Sequence, residues 1–537
     1  MANLDDLRDI MSSERIPENS QQRKRIFSGV VSACACSICL VIIIVFSTVQ
    51  EYAGHSPVVW GLEAILTTIG GVFTYIIWIV VHKNGDQFLE KNAEDVTIRM
   101  KLCFLWIFGI INILHCAVDM AINFECIDEQ GKEQFQGDYV VSIVTHTFEI
   151  IFLTGQLGFI SSYSAYRLTS STLVNYGIST IILTHAIRWF RTLFRSLLSN
   201  DLIYLTNDSK IFLNDCFWTS DLTSFRKSVD VYVNPTLTEY SLLAVSLMLR
   251  MWISLEKKDS QPSFVPSLDD ERTPLLCDSS PKVSNHVNIH KRIIRMLSLR
   301  SAVRSSSVYI CVLVAIVLCL PILTTVIMSS AMENQSYHYK LSSGIIQCMF
   351  KLELFIVIML AFFLCNKQYR EASNSIDRIN SSRLILIFCT AGAVAYSTFG
   401  LIAGLLYDKD DSRWLSIVLV IQKIFEIACI YFQTILILQH SSNKIVHLQN
   451  VSRYIPVYKV HCVLFTINII MWLVNSYMGK VVDSVMHIEQ SFYGDNYLKA
   501  VNDVVLPITI FYRFHTAMDI YQLYKNYENL HNSRCKK

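Results

Sequence analysis

The sequence predicts an all-α membrane protein, with twelve transmembrane helices arranged as two parallel six-helix halves. Three observations carry that expectation: long apolar runs, a bias of basic residues to one side, and short patterns that recur in order along the chain. Hydrophobic types make up 52% of the 537 residues and charged types only 17%, against roughly 25% charged in soluble proteins. The mean hydropathy is +0.38, and the apolar residues gather into runs of the ~20 residues that a bilayer core requires.

The predicted spans lie at 26–49, 57–82, 100–123, 139–163, 173–198 and 236–255, then at 307–330, 342–365, 382–406, 413–438, 459–479 and 500–520. A polar tail, 1–25, precedes the first span and ends in Arg23-Lys24-Arg25. That span is too long for a cleaved signal core, so it reads as a signal anchor. The last span is the most polar, with Asp503, Arg513, His515 and Asp519, yet 504–514 is apolar apart from Tyr512 and Arg513. Residues 26–255 and 307–520 make the two halves. Between them, 256–306 is rich in Ser, Pro, Asp and basic residues and reads as a linker. A short tail follows at 521–537.

Orientation follows from the preference of Lys and Arg for the cytosolic side. The linker holds Lys257, Lys258, Arg272, Lys282, Lys291, Arg292, Arg295, Arg300 and Arg304, whereas Glu125, Asp128, Glu129 and Glu133 share one outer loop, and Asp408, Asp410 and Asp411 another. Both termini are therefore expected in the cytosol. Two N-x-S sequons, at Asn207 and Asn334, fall in outer loops, where glycosylation could reach them. Most of the sixteen cysteines lie within spans as small apolar residues. Cys126 and Cys216 face the oxidising side, and whether they pair is open.

The recurring patterns are short but ordered. Phe148-Glu149-Ile150, followed by Gln156, returns as Phe425-Glu426-Ile427, followed by Gln433, in each case 277 residues later. His185-x-x-x-Trp189 in span 5 matches Asn468-x-x-x-Trp472 in span 11, and Pro235 with Tyr240 in span 6 matches Pro507 with Tyr512 in span 12. Leu62-Glu63 and Leu352-Glu353 share spans 2 and 8. Because six is even, a duplication of this kind is parallel rather than inverted.

Ionised groups at mid-bilayer cost roughly 2.5–3.5 kcal/mol each on insertion scales. The spans nevertheless carry Glu63, His115, Asp119, His146, Glu149, Gln156, His185, Arg188, Glu239, Lys351, Glu353, Glu426, Gln433, Asn468, Asp503, Arg513 and His515. So many groups must face bundle interiors, one another, or water. Glu149 and Gln156 share a helix face two turns apart. Any single pair can serve as packing glue. Lys351 with Glu353 reads equally as a local pair at the membrane edge, and Arg513 with Asp519 as the mark of a cytosolic exit. As a set, carboxylates, amides and imidazoles at matching places suit proton movement.

The sequence has no Walker loop, dinucleotide fingerprint, H-E-x-x-H or C-x-x-C. Neither Cys34-Ala35-Cys36 nor the span histidines have metal-ligand spacing. Catalysis, a bound metal and a cofactor are not expected, and a net charge of +2 offers no basic field for nucleic acid.

The chain resembles the otopetrins. The resemblance rests on Phe492-Tyr493-Gly494 and the run Leu506-Pro507-Ile508-Thr509-Ile510-Phe511-Tyr512-Arg513-Phe514-His515. It rests further on Tyr176-Gly177, Thr184-His185 and Trp189-Phe190-Arg191-Thr192-Leu193, on Pro235 with Glu239-Tyr240-Ser241-Leu242, and on Gln433-Thr434. It extends through the membrane segments and implies a plasma-membrane, proton-selective channel opened by extracellular acid. It also implies a homodimer with lipid or sterol at its centre. Carried over by position, the proton pathway is Gln156, His185 and Tyr240 in the first half and Gln433, Asn468 and Tyr512 in the second. Glu149, Glu426, Glu63, Glu353, Glu239, Arg513 and His515 are added from the polar pattern. His185 stands where the family has Asn or Asp, and Ser196 where it has Glu. A proton-coupled secondary transporter, also twelve spans with parallel halves, remains the alternative.

Overall fold

A computed structural model describes residues 31, 57–83, 89–91, 96–130, 136–168, 171–205, 221–252, 306–331, 337–371, 381–407, 413–440, 445–448, 457–482 and 486–535. The helices, in chain order, are α1 (Pro57–Lys83), α2 (Ile98–Gln130), α3 (Gln136–Tyr163), α4 (Thr172–Leu205), α5 (Asp221–Trp252), α6 (Ser306–Ala331) and α7 (Tyr337–Gln368). They continue as α8 (Ser381–Leu406), α9 (Arg413–His440), α10 (Val457–Val482), α11 (Met486–Tyr493) and α12 (Asp495–Cys535). Four short strands complete the described residues: β1 (Leu89–Lys91), β2 (Tyr166–Leu168), β3 (Tyr369–Glu371) and β4 (Ile445–Leu448).

The chain is an all-α membrane protein that crosses the bilayer several times. Among the described residues, eight helices are long and apolar enough to do so, including Ile98–Glu125, Val308–Ile327 and Val457–Tyr477. Their outward faces are apolar: Ile356, Leu360 and Phe363 stand exposed on α7, and Leu384, Phe388 and Leu405 on α8. A water-facing surface would not carry such continuous apolar area. The first expected span, 26–49, lies outside the described residues save Val31.

Expected spans 5, 6 and 12 fall on α4, α5 and α12, which are long enough, at 34, 32 and 41 residues. They are too polar to qualify on hydropathy, for a reason visible in α12: every residue from 509 to 520 is buried. A helix enclosed by other helices presents no stripe to lipid, so apolar selection acts on its neighbours instead. Pro235 in α5 and Pro507 in α12 each remove a helical hydrogen bond, a loss that packed membrane helices can absorb.

One set of neighbours occurs twice. Helix α3 packs on α1 and α2, α5 on α2 and α4, and α1 on α4; in the same way α9 packs on α7 and α8, α12 on α8 and α10, and α7 on α10. The strands follow the same scheme. β1, after α1, pairs antiparallel with β2, after α3, and sets Glu90 opposite Arg167. β3, after α7, pairs antiparallel with β4, after α9, with a register shift at Arg370/Glu371. Each ribbon ties two loops that must therefore lie on one side of the membrane. The sequence offered no sign of these ribbons, nor of α11, which turns into α12 at Gly494 with φ of 77°, a conformation suited to glycine.

Candidate functional site

The polar residues of the spans gather into two clusters. In the first, Glu149 of α3 meets Arg188 of α4. Arg188 Nε donates to Glu149 Oε1 at 2.7 Å, and its Nη2 donates to Asn112 Oδ1 of α2 at 3.0 Å. The other carboxylate oxygen of Glu149 lies 3.0 Å from His146 Nδ1. His146 Nε2 lies 3.7 Å from Asp119, which also pairs with Arg226 of α5 at 3.0 Å and stands 3.8 Å from His115. All but His115 and Arg226 are less than a tenth exposed. Buried charges persist only when paired in this way.

In the second cluster Glu426 of α9 is met by Lys351 of α7, Nζ to Oε1 at 3.0 Å, and by Arg513 of α12 at 3.8 Å. Lys351 is buried and turned inward, so it is no edge partner of Glu353, which is only half-buried two positions along. Arg513 is 1% exposed and marks no exit to water. A second buried pair, Lys423 Nζ with Glu489 Oε1 at 3.1 Å, follows one turn up α9. A methyl group on Gly400 would press against both side chains, so the absence of a Cβ there gives the pair its room.

Next to each cluster stand buried polar atoms that no protein group satisfies. Gln156 donates to Thr74 at 2.5 Å, but its Oε1 is unpartnered. His185 packs between Phe152 and Tyr240, ring centroids 5.1 and 5.8 Å away, with both ring nitrogens unpartnered, as is Tyr240 Oη. In the second region Gln433 has neither amide atom bonded and Asn468 Oδ1 has no partner, although Asn468 Nδ2 donates to Leu464 O at 2.8 Å. Tyr512 differs: its hydroxyl donates to Ile430 O at 3.0 Å and touches Thr434 at 3.3 Å. An orphaned buried polar atom costs roughly 1–3 kcal/mol, and such atoms in a native fold are usually met by water.

The remaining expected residues are elsewhere. Glu239 of α5 accepts a hydrogen bond from Trp472 Nε1 of α10 at 2.9 Å, and its Oε2 is unpartnered. Trp472 is itself held among Phe104, Phe108 and Phe514. His515 of α12 lies 3.2 Å from Ser382 O and 3.7 Å from Asp519. The side chains of Glu63 and Cys126, and residues Asn207, Cys216 and Asn334, lie outside the described residues, so the sequons and the Cys126–Cys216 question do too. Beyond the spans, burial and the Glu528 carboxylate, 3.0 Å from the hydroxyl, push the Tyr524 phenol well above its ordinary value.

Sequence reasoning named the two carboxylates but missed what holds them. It missed Arg188 as the partner of Glu149, Lys351 as that of Glu426, and the convergence of Cys116 of α2 on His146 and Glu149 of α3. Ligand motifs are sought within one segment, and this group comes from two helices. A family model described as Otopetrin matches residues 200–514, more than half of the chain. No curated protein matches.

Proposed function

The chain belongs to the otopetrin family, whose members are membrane ion channels, and on that basis we propose that it conducts protons across the plasma membrane when the outside is acidified. The observation that carries this reading is the set of unpartnered polar atoms on Gln156, His185, Tyr240, Gln433 and Asn468, all fully or almost fully buried in the membrane region. Short water chains held by these groups would satisfy them and would relay protons without a wide pore. The return of Gln156 as Gln433, of His185 as Asn468 and of Tyr240 as Tyr512 in matching order, with the repeated neighbour pattern, supports twelve spans in two parallel six-helix halves, each with its own path. The charge bias of the loops supports cytosolic termini, and closed symmetry of membrane oligomers supports a homodimer, with lipid or sterol at its centre.

The test is a whole-cell recording during an external acid step. The expected current appears without any added solute, and its reversal potential follows the proton gradient and ignores replacement of sodium or potassium. A current that requires a co-transported solute would replace this reading with a proton-coupled transporter. An epitope near Asn207 should be reached by antibody on intact cells, and one near Ser280 should not.

A further inference from the structure

We propose that Cys116, His146 and Glu149 form a binding site for a borderline or soft divalent transition metal of the zinc and cadmium class. One ligand atom from each of the three side chains lies within 4.8 Å of the others, and all three residues are buried. His146 Nδ1 and Glu149 Oε2 are 3.0 Å apart. Tetrahedral bonds of about 2.0 Å to both would set them roughly 3.3 Å apart, so the pair needs to move by only tenths of an ångström. The Cys116 thiol, brought in from α2, supplies the third ligand atom within the same 4.8 Å.

The surroundings have the character of a supported metal site. The ring nitrogen of His146 that points away from the site, Nε2, faces the Asp119 carboxylate at 3.7 Å. The carboxylate oxygen of Glu149 that points away, Oε1, is held by Arg188 Nε at 2.7 Å. Outer partners of this kind orient ligating imidazoles and carboxylates. Sulfur, imidazole nitrogen and a single carboxylate oxygen select zinc-class ions over magnesium or calcium. Binding forms metal–sulfur, metal–nitrogen and metal–oxygen bonds, releases the thiol proton to solvent and oxidises nothing. It would also staple α2 to α3. The second cluster lacks such a site: Lys423 stands where His146 does, 277 residues on, and supplies a fixed cation in place of a ligand.

The site does not depend on the channel reading, and its test measures binding directly. Purified full-length protein in detergent is titrated with Co2+ while the thiolate-to-cobalt charge-transfer absorption is followed, with Cd2+ as competitor. The expected result is binding of about one Co2+ per chain, with the band present and displaced by Cd2+. Cys116→Ser should abolish that band, Cys116→Ser and His146→Gln should each weaken binding at least about tenfold, and Asp119→Asn should weaken it about tenfold with the band retained. If His146→Gln or Asp119→Asn fails to give a monodisperse protein, the near-isosteric Cys116→Ser decides alone. No charge-transfer band in the unaltered protein, or a band and affinity unchanged in Cys116→Ser, would overturn the site.

Discussion

Glu149 and Glu426 occupy the same place in matching Phe-Glu-Ile triplets, yet each is neutralised from a different direction. Arg188 of α4 holds the first and also reaches Asn112. Lys351 of α7 holds the second, with Arg513 of α12 standing 3.8 Å off. At the position matching Arg188, counted from the shared tryptophan, the chain has Met471; at the position matching Arg513, counted from the shared tyrosine, it has Ser241. The two regions share a neutralised buried carboxylate and differ in which helix brings the cation. Desolvation explains why: a lone carboxylate in the bundle is costly, but any well-placed cation relieves it.

The largest expected effect breaks that comparison at its cations. Arg188→Met leaves Glu149 with only His146 and should cost about 3–5 kcal/mol of stability, the usual loss when one partner of a buried pair is removed. Lys351→Met should cost roughly half as much, since Arg513 can close the remaining distance. Thermal unfolding of both variants in the same detergent checks this, and equal losses would mean that Arg513 gives Glu426 no reserve.

A second test concerns the amides. Gln156→Leu and Gln433→Leu delete donor and acceptor at nearly constant volume, and each should lower acid-evoked current by about half, while the double variant should lose about nine-tenths of it. Surface expression is measured alongside. Full current in a well-expressed double variant would make both glutamines packing residues.

The smallest effect separates the two tyrosines. Tyr512→Phe removes hydroxyl contacts at 3.0 and 3.3 Å and should cost about 1 kcal/mol. Tyr240 Oη has no protein partner, so Tyr240→Phe should leave stability within about 0.5 kcal/mol of the unaltered protein while still lowering current. If Tyr240→Phe left the current untouched as well, a water chain at that hydroxyl would be untenable.

The sequence revealed the apolar spans well because bilayer thickness imposes a run length on any helix that faces lipid. The ends of α1 and α9 lie within two residues of the expected spans. Helices α4, α5 and α12 fall where spans 5, 6 and 12 were expected, but as weaker apolar runs, since their neighbours and not lipid set their composition. Partner choice was hidden for a different reason. Arg188 lies 39 residues from Glu149 in the chain, and Lys351 lies 75 from Glu426, so neither pairing leaves a local spacing to read. Lys351 beside Glu353 was the nearest pair in sequence, and three-dimensional packing overrode it.

The enclosure of α12 from 509 to 520 also bears on how the protein is made. This helix emerges from the ribosome after the other helices described here, and it carries Arg513, His515 and Asp519 in its buried core. A translocon that sorts segments by their individual lipid affinity has little reason to release such a segment sideways. Its membrane partition must come from α8 and α10, which pack against it, and from the Glu426 charge that awaits its guanidinium. Insertion of α12 would then be a cooperative step, with the helices made before it serving as the solvent it enters.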